Sequence, residues 1–209
     1  MKLKISHFSI VLLLALFVSC CREDPVEIAR IELSQDELEL IPYNYSQQVN
    51  FIHSNGYEFA FSVTTDTIVW DSYSAFCEWD CCGQEYVSYQ VKTTTLESAY
   101  PNLVVTISIM GYDYGNYLKF LGLDINHRHF VSMPYDSLAN FVCEPRYEAV
   151  FLDSVIIRDK PYKEVIEKKF DNHYFIDDST VLIPESILYN DLGLLQIKMS
   201  NEETFSINN

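Results

Sequence analysis

The chain has 209 residues, with 30 Asp and Glu against 14 Lys and Arg, so its formal net charge is −16. This acidic balance argues against nucleic acid as a partner, because neutralising phosphates requires a surplus of basic side chains. Hydrophobic residues make up 48% of the chain, which excludes a wholly disordered protein and suits a globular domain with its own core.

The first 20 residues have the organisation of an export signal. Lys2 and Lys4 give a positive start, and an apolar run interrupted only by Ser9 follows over residues 8–18. The run is shorter than the ~20 apolar residues that a membrane-spanning helix needs. It has the length of the hydrophobic region of a signal peptide. We therefore expect an exported protein without a transmembrane helix.

The signal ends in Phe17-Val18-Ser19-Cys20. This resembles the lipoprotein signal of bacteria, in which a small residue precedes a Cys that is lipidated and becomes the new N-terminus. The alternative is an ordinary secretory peptide with an incidental Cys pair. We predict a signal peptide over residues 1–19, lipidation of Cys20 and a lipidated acidic tether over residues 20–26. Removing residues 1–19 takes away two Lys and no acid, so acyl chains and not charge would hold the mature protein at the membrane.

Past residue 26 the hydrophobic pattern has the period of two that is typical of half-buried β-strands. It is clearest over residues 59–63, 87–91, 103–109 and 195–199. The residues expected to face the core are Phe59, Phe61, Val63, Val87, Tyr89, Val91, Leu103, Val105, Ile107, Ile109, Leu195, Ile197 and Met199. Residues 194–207 are predicted to form a terminal hairpin.

These patterns predict an all-β fold, an antiparallel sandwich or open barrel. A smaller C-terminal β-meander or hairpin unit and one short helix near residues 135–141 complete the prediction. The stretch between Pro134 and Arg146 is the best candidate boundary. We expect a β-sandwich-like unit over residues 27–132. Residues 133–209 would supply the short helix and the C-terminal β unit packed on it.

Several segments carry a resemblance to uncharacterised surface lipoproteins of the Bacteroidota. They are the signal, the acidic tether at residues 22–24, and the runs at residues 59–63, 100–105, 162–165 and 187–197. In the last run a Tyr-bearing strand turns at Gly193 into the closing hairpin. The resemblance covers most of the chain and implies display at the outer membrane, facing outside, with the periplasmic face as the alternative. It implies no substrate.

The same kind of organism modifies an Asp-Ser/Thr-aliphatic-or-Thr triplet by O-glycosylation, and this chain has four similar triplets. Their acceptor residues are Thr67, Ser137, Ser154 and Ser179. For each one the alternative is a polar turn or strand edge, and Ser154 is the one expected to be too buried for modification.

Four of the six cysteines, Cys77, Cys81, Cys82 and Cys143, lie in the body of the chain. In an exported protein an even set predicts disulfides first. A bridge between adjacent Cys81 and Cys82 would be strained, so we expect Cys143 to pair with one of the other three. A thiolate metal site is the alternative, but the spacing matches no structural zinc pattern, and we predict no metal and no cofactor.

Two further groups of residues are candidate sites. Tyr112, Asp113, Tyr114 and Tyr117 lie in a stretch flexed by two glycines, and Trp79 lies in the cysteine segment. Tyrosine offers a flat apolar face and a hydroxyl at low entropic cost, so these five residues are candidates for ligand binding. Aromatics that pack on their own sheet are the alternative.

Histidines offer a weaker candidate for metal binding. His127 and His129 are placed by the pattern on one face of a strand, and His53 follows two apolar residues on another strand. We interpret the first two as exposed strand histidines and His53 as a satisfied, half-buried side chain.

The sequence contains no nucleophile elbow, zinc-protease motif or phosphate-cradling loop. We therefore predict a non-catalytic, lipid-anchored envelope protein that is displayed at the surface and binds a glycan or a protein. The first alternative is a structural or assembly subunit of a cell-surface complex. The second is a periplasm-facing metal or redox protein that uses the four cysteines of the body.

Overall fold

The computed structural model describes residues 25–74, 85–111, 119–127, 129–136, 138–143, 148–170 and 183–208. Within these residues the chain is nearly all β, with twelve strands and one short helix, α1 (Gln35–Glu39). The strands are β1 (Val26–Ile31), β2 (Gln48–His53), β3 (Glu58–Ser74), β4 (Glu85–Ser98), β5 (Leu103–Met110), β6 (Lys119–Ile125), β7 (His129–Tyr135), β8 (Ala149–Ile157), β9 (Lys160–Lys169), β10 (Pro184–Asn190), β11 (Gly193–Met199) and β12 (Thr204–Ile207). No described helix has the length and apolar character needed to cross a membrane.

The chain divides into two compact units, and the strands β3 and β4 each contribute to both. The smaller unit comprises residues 1–31 and 70–89. In its described part, β1 pairs in parallel with the first residues of β4, and the guanidinium of Arg30 lies 4.0 Å from the ring centre of Trp70. The boundary predicted near residue 133 stays a prediction.

The larger unit comprises residues 32–69 and 90–209. Its strands follow the order β7-β6-β5-β4-β3-β2-β12-β11-β10-β9-β8, and β12 joins the C-terminal strands to β2 by antiparallel pairing. The sheet curls until β7 approaches β9, which gives a nearly closed, antiparallel, barrel-like arrangement. The all-β prediction is confirmed, in its open-barrel form.

The core of the larger unit follows the predicted alternation in three strands. Leu103, Val105, Ile107 and Ile109 of β5 are all buried. Phe61 and Val63 of β3 are buried, as are the predicted inward residues of β11. The hairpin expected over residues 194–207 is formed by β11 and β12.

Strand β4 departs from the predicted alternation. Tyr89 is buried as expected, but further along the strand the inward positions become Lys92, Thr94 and Leu96, so Val91 is only half-buried. Lys92 is stable there because its Nζ donates to the backbone carbonyls of Leu38, at 3.0 Å, and Ile41, at 2.8 Å. These carbonyls at the end of α1 replace water around the ammonium, although burial still lowers the pKa of Lys92.

The short helix lies elsewhere than predicted. Ser34 begins α1 with a capping box, in which its Oγ accepts from the backbone N–H of Glu37 and Glu37 accepts from the N–H of Ser34. The helix predicted near residues 135–141 is not formed in the described part of that segment. Asp136 closes a turn there, because its Oδ1 accepts from the N–H groups of Leu138 and Asn140, which favours a turn over a helix.

Buried polar contacts fix α1 against the sheet. The Glu37 carboxylate is only 3% exposed and lies 2.5 Å from the Nζ of Lys119 on β6. The Tyr189 hydroxyl on β10 donates to the carbonyl of Leu40 at 2.6 Å, and burial raises its pKa well above the usual value. Moving α1 away from the sheet would separate Glu37 from Lys119 and leave an uncompensated buried charge, which is costly. These contacts therefore hold α1 in one defined position.

Candidate functional site: the open edge of the sheet

Strand β8 is the last strand of the sheet order. It pairs with β9 along its whole length, and no described strand pairs with its other edge. An unpaired edge presents a row of backbone N–H and C=O groups that can accept another strand. We call this edge of β8 the open edge.

Three large apolar side chains of β8 are exposed beside this edge. Val150 is 51% exposed, Phe151 49% and Ile156 74%. Because successive side chains of a strand point to opposite faces, Val150 and Phe151 leave apolar surface on both faces of β8. Soluble proteins usually protect such an edge from pairing with other chains by placing charged residues or proline on it. The only charged residue of β8 is Asp153, and the strand has no proline.

The first of two cavities at the open edge is acidic, and we call it the acidic cavity. It has a volume of about 550 Å³ and lies where α1, the turn after β7, β8 and β9 meet. Four carboxylates and no basic side chain line it, with an apolar wall that includes Phe141, Phe151 and Ile166. The carboxylates are those of Asp36, Glu39, Glu164 and Asp191.

The four carboxylates are spread around the acidic cavity and do not converge on one point. Within the described residues, no group of three or more His, Cys, Asp or Glu side chains is placed to hold a metal ion. The arrangement therefore suits an extended ligand with several positive charges and apolar parts better than a single ion.

The second cavity, which we call the edge cavity, has a volume of about 640 Å³ and lies along the first residues of β8. Its wall includes Val150 and Phe151, and its charged residues are Glu148, Glu167 and Lys169. Phe151 lines both cavities. The two cavities thus flank the first half of β8, on either side of one half-exposed aromatic ring.

Backbone strain marks the wall of the acidic cavity. Glu164 in β9 has a φ of +53°, a left-handed conformation that costs a residue other than glycine about 1 kcal/mol. It lies between the ladder pairs Leu152–Val165 and Ser154–Lys163. Such strain persists only where the surrounding structure fixes it, and here the ladder on both sides does so.

All five predicted ligand-binding residues lie outside the described part of the chain. These are Tyr112, Asp113, Tyr114, Tyr117 and Trp79, together with the lipidation residue Cys20. Their roles stay predictions. The residues of the open edge were missed at the sequence level, although the run Val150-Phe151-Leu152, apolar on both faces, is a signal that points to an unusual strand.

Cys143, the one cysteine among the described residues, carries a free thiol. The bridge predicted for it is not formed, and its half-buried side chain packs against the core as an apolar group. Burial raises the pKa of its thiol, which makes it a poorer nucleophile at neutral pH. Cys77, Cys81 and Cys82 lie outside the described residues.

Two of the four predicted glycosylation residues are described, and both are accessible. Thr67 on β3 and Ser154 on β8 are exposed, so the expectation that Ser154 is too buried was wrong. The reason is that β8 is an edge strand, which leaves more of its surface open than a central strand does. Ser137 and Ser179 lie outside the described residues.

The histidines differ in how far the structure supports their interpretation. His53 is half-buried as predicted, with its Nδ1 accepting from the N–H of Asn55 at 3.2 Å and its Nε2 3.5 Å from Glu203. His127 is exposed in the turn between β6 and β7, with a φ of +55°. The prediction that places His127 on a strand is therefore wrong, whereas the backbone of His129 begins β7.

Comparison of the chain with protein-family models, with curated proteins and with solved structures gives no match.

Proposed function

We propose that this protein is a lipid-anchored protein of the cell envelope that acts by binding a polypeptide partner at the cell surface. The observation that carries the binding role is the open edge of β8, where Val150, Phe151 and Ile156 are exposed beside two cavities. An exposed apolar strand edge is a risk for aggregation unless a partner covers it. The signal ending in Cys20 supports the anchor and the export.

A structural or assembly subunit of a surface complex is the second candidate, since a permanent neighbour would cover the same edge. The two candidates differ in how long the contact lasts. A partner that remains bound through detergent extraction supports the assembly role, and one that is held only after cross-linking supports reversible binding.

The anchor is tested by substituting each member of the Cys pair at the end of the signal. We expect Cys20→Ser to abolish incorporation of labelled palmitate and to release the protein from the membrane fraction, because Cys20 is the predicted acceptor of the acyl chains that hold it there. Cys21→Ser is the matched control and keeps both properties. Loss of the label in Cys21→Ser with retention in Cys20→Ser would show that Cys21, and not Cys20, is the lipidated residue.

The binding role is tested by photo-cross-linking in living cells. A benzoylphenylalanine in place of Phe151 should give a discrete adduct with a second protein, because that ring lines both cavities. The same group in place of Tyr45, which is 68% exposed and lines neither cavity, should give none. An adduct from Tyr112 or Tyr114 with none from Phe151 would contradict the open edge and favour the aromatic loop.

A further inference from the structure

The chemistry of the open edge defines the class of partner that fits it. An extended segment that lies along β8 gains main-chain hydrogen bonds from the unpaired edge, while its alternate side chains fall on the two faces. On one face it would cover Val150, and on the other it would cover Phe151 and reach the acidic cavity. A folded, rounded surface would leave the edge hydrogen bonds unmade.

The charges beside the first half of β8 favour a basic segment. The two cavities that flank it carry six carboxylates and one lysine, Lys169. The other half is different, since Arg158 and Lys160 lie at the turn of the β8–β9 hairpin and Lys163 pairs with Ser154 near the middle of β8. Lys168 also pairs with Ala149 but is buried, so carboxylates still outnumber basic side chains beside residues 148–152. A partner with Lys or Arg side chains is attracted there and an acidic one is repelled.

We infer that the open edge of β8 takes an extended segment of a partner polypeptide as an added strand, with basic side chains alternating with apolar ones. This inference rests on the proposed function and specifies its partner. The backbone edge supplies register, and the two kinds of side chain fall on opposite faces. The apolar residues cover Val150 on one face, and the basic residues lie along Phe151 on the other face and reach the acidic cavity.

A second copy of the chain is a poorer occupant of the same edge. Antiparallel pairing of two copies of β8 about the middle of the strand would bring the two Asp153 side chains together, and like charges in opposed positions are destabilising. The whole chain is also strongly acidic, with a formal net charge of −16, so two copies repel each other at low salt.

The test uses the lipidated full-length mature protein in detergent and a fluorescent peptide of eight residues in which Lys alternates with Val and Ile. We expect saturable binding of this lysine peptide by fluorescence anisotropy. The analogue with Glu in place of Lys should bind with an affinity lower by about tenfold or more. Raising the salt from about 50 to about 500 mM should weaken binding of the lysine peptide, because screening removes the attraction between its charges and the carboxylates. Equal binding of the two peptides would overturn the inference.

Protein variants locate the contact. Phe151→Ala should weaken binding of the lysine peptide by about tenfold, as loss of a central aromatic contact does. Tyr45→Ala should leave the affinity unchanged. Glu39→Gln combined with Glu164→Gln should weaken it, whereas Glu32→Gln, an exposed carboxylate outside both cavities, should not. Melting temperatures within error of wild type show that the variants fold. Equal effects of the edge and control variants would overturn the inference.

The added strand itself has a specific signature. Methylation of alternate backbone nitrogens blocks one edge of the peptide, so one of the two methylated series should lose binding and the other keep it. Binding of both series, or self-association of the protein that saturates the edge, would overturn the inference. If Phe151 cross-links a partner in cells and no peptide binds, only the inference fails. If neither occurs, the proposed function fails as well.

Discussion

Gly193 and Tyr43 pack closely against each other in the described core. Gly193 has a φ of +92° where β10 turns into β11, and a Cβ there would collide with the Tyr43 hydroxyl. That hydroxyl accepts a hydrogen bond from the N–H of Leu194 at 2.6 Å. The turn at this glycine was predictable from the sequence, whereas the tyrosine that covers it lies 150 residues away and was not.

We predict that Gly193→Ala lowers the free energy of unfolding by about 2–4 kcal/mol, since the φ penalty and the overpacking add. Gly56→Ala is the matched control, because Gly56 has a φ of +90° and no atom within 4 Å of its Cβ position. It should cost about 1 kcal/mol. Denaturant unfolding measures both values, and equal costs would contradict the packing described for Tyr43.

Among the elements, the strands with a strict apolar alternation could be predicted and the exceptions could not. β5 follows its sequence pattern at every position because one face lies on the core. Lys92 in β4 breaks the pattern because the carbonyls that satisfy it come from α1, far away in sequence. The helix α1 has five residues, too short for a helical period to show, and only its capping box marks it.

The open edge is also an element whose role depends on tertiary pairing. The residues of β8 predict a strand, but which strand lies at the end of a sheet is decided by the pairing of all the others. The apolar residues on both faces of β8 would suit a buried central strand equally well. The strand pairing shows that they lie at the edge, with Val150 and Ile156 exposed. A sequence pattern typical of a buried strand therefore forms a candidate interface here.

The whole molecule combines an acidic body and an open edge with a predicted lipidation signal. The acidic chain gains nothing by charge from an anionic membrane, so the acyl chains on Cys20 are expected to hold it there. The tether at residues 20–26 would then leave the strands free to meet a partner. Binding of an external partner requires the folded chain to be on the outer side of the membrane.

Protease shaving of intact cells tests that requirement most directly, with a periplasmic protein followed as the control. We predict that the protein is cleaved while the periplasmic protein survives. Glu23→Ala combined with Asp24→Ala removes the acidic residues after Cys20, and this variant should stay lipidated but become protected. Protection of the wild-type protein until the outer membrane is broken would contradict surface display and, with it, binding of an external partner at the open edge.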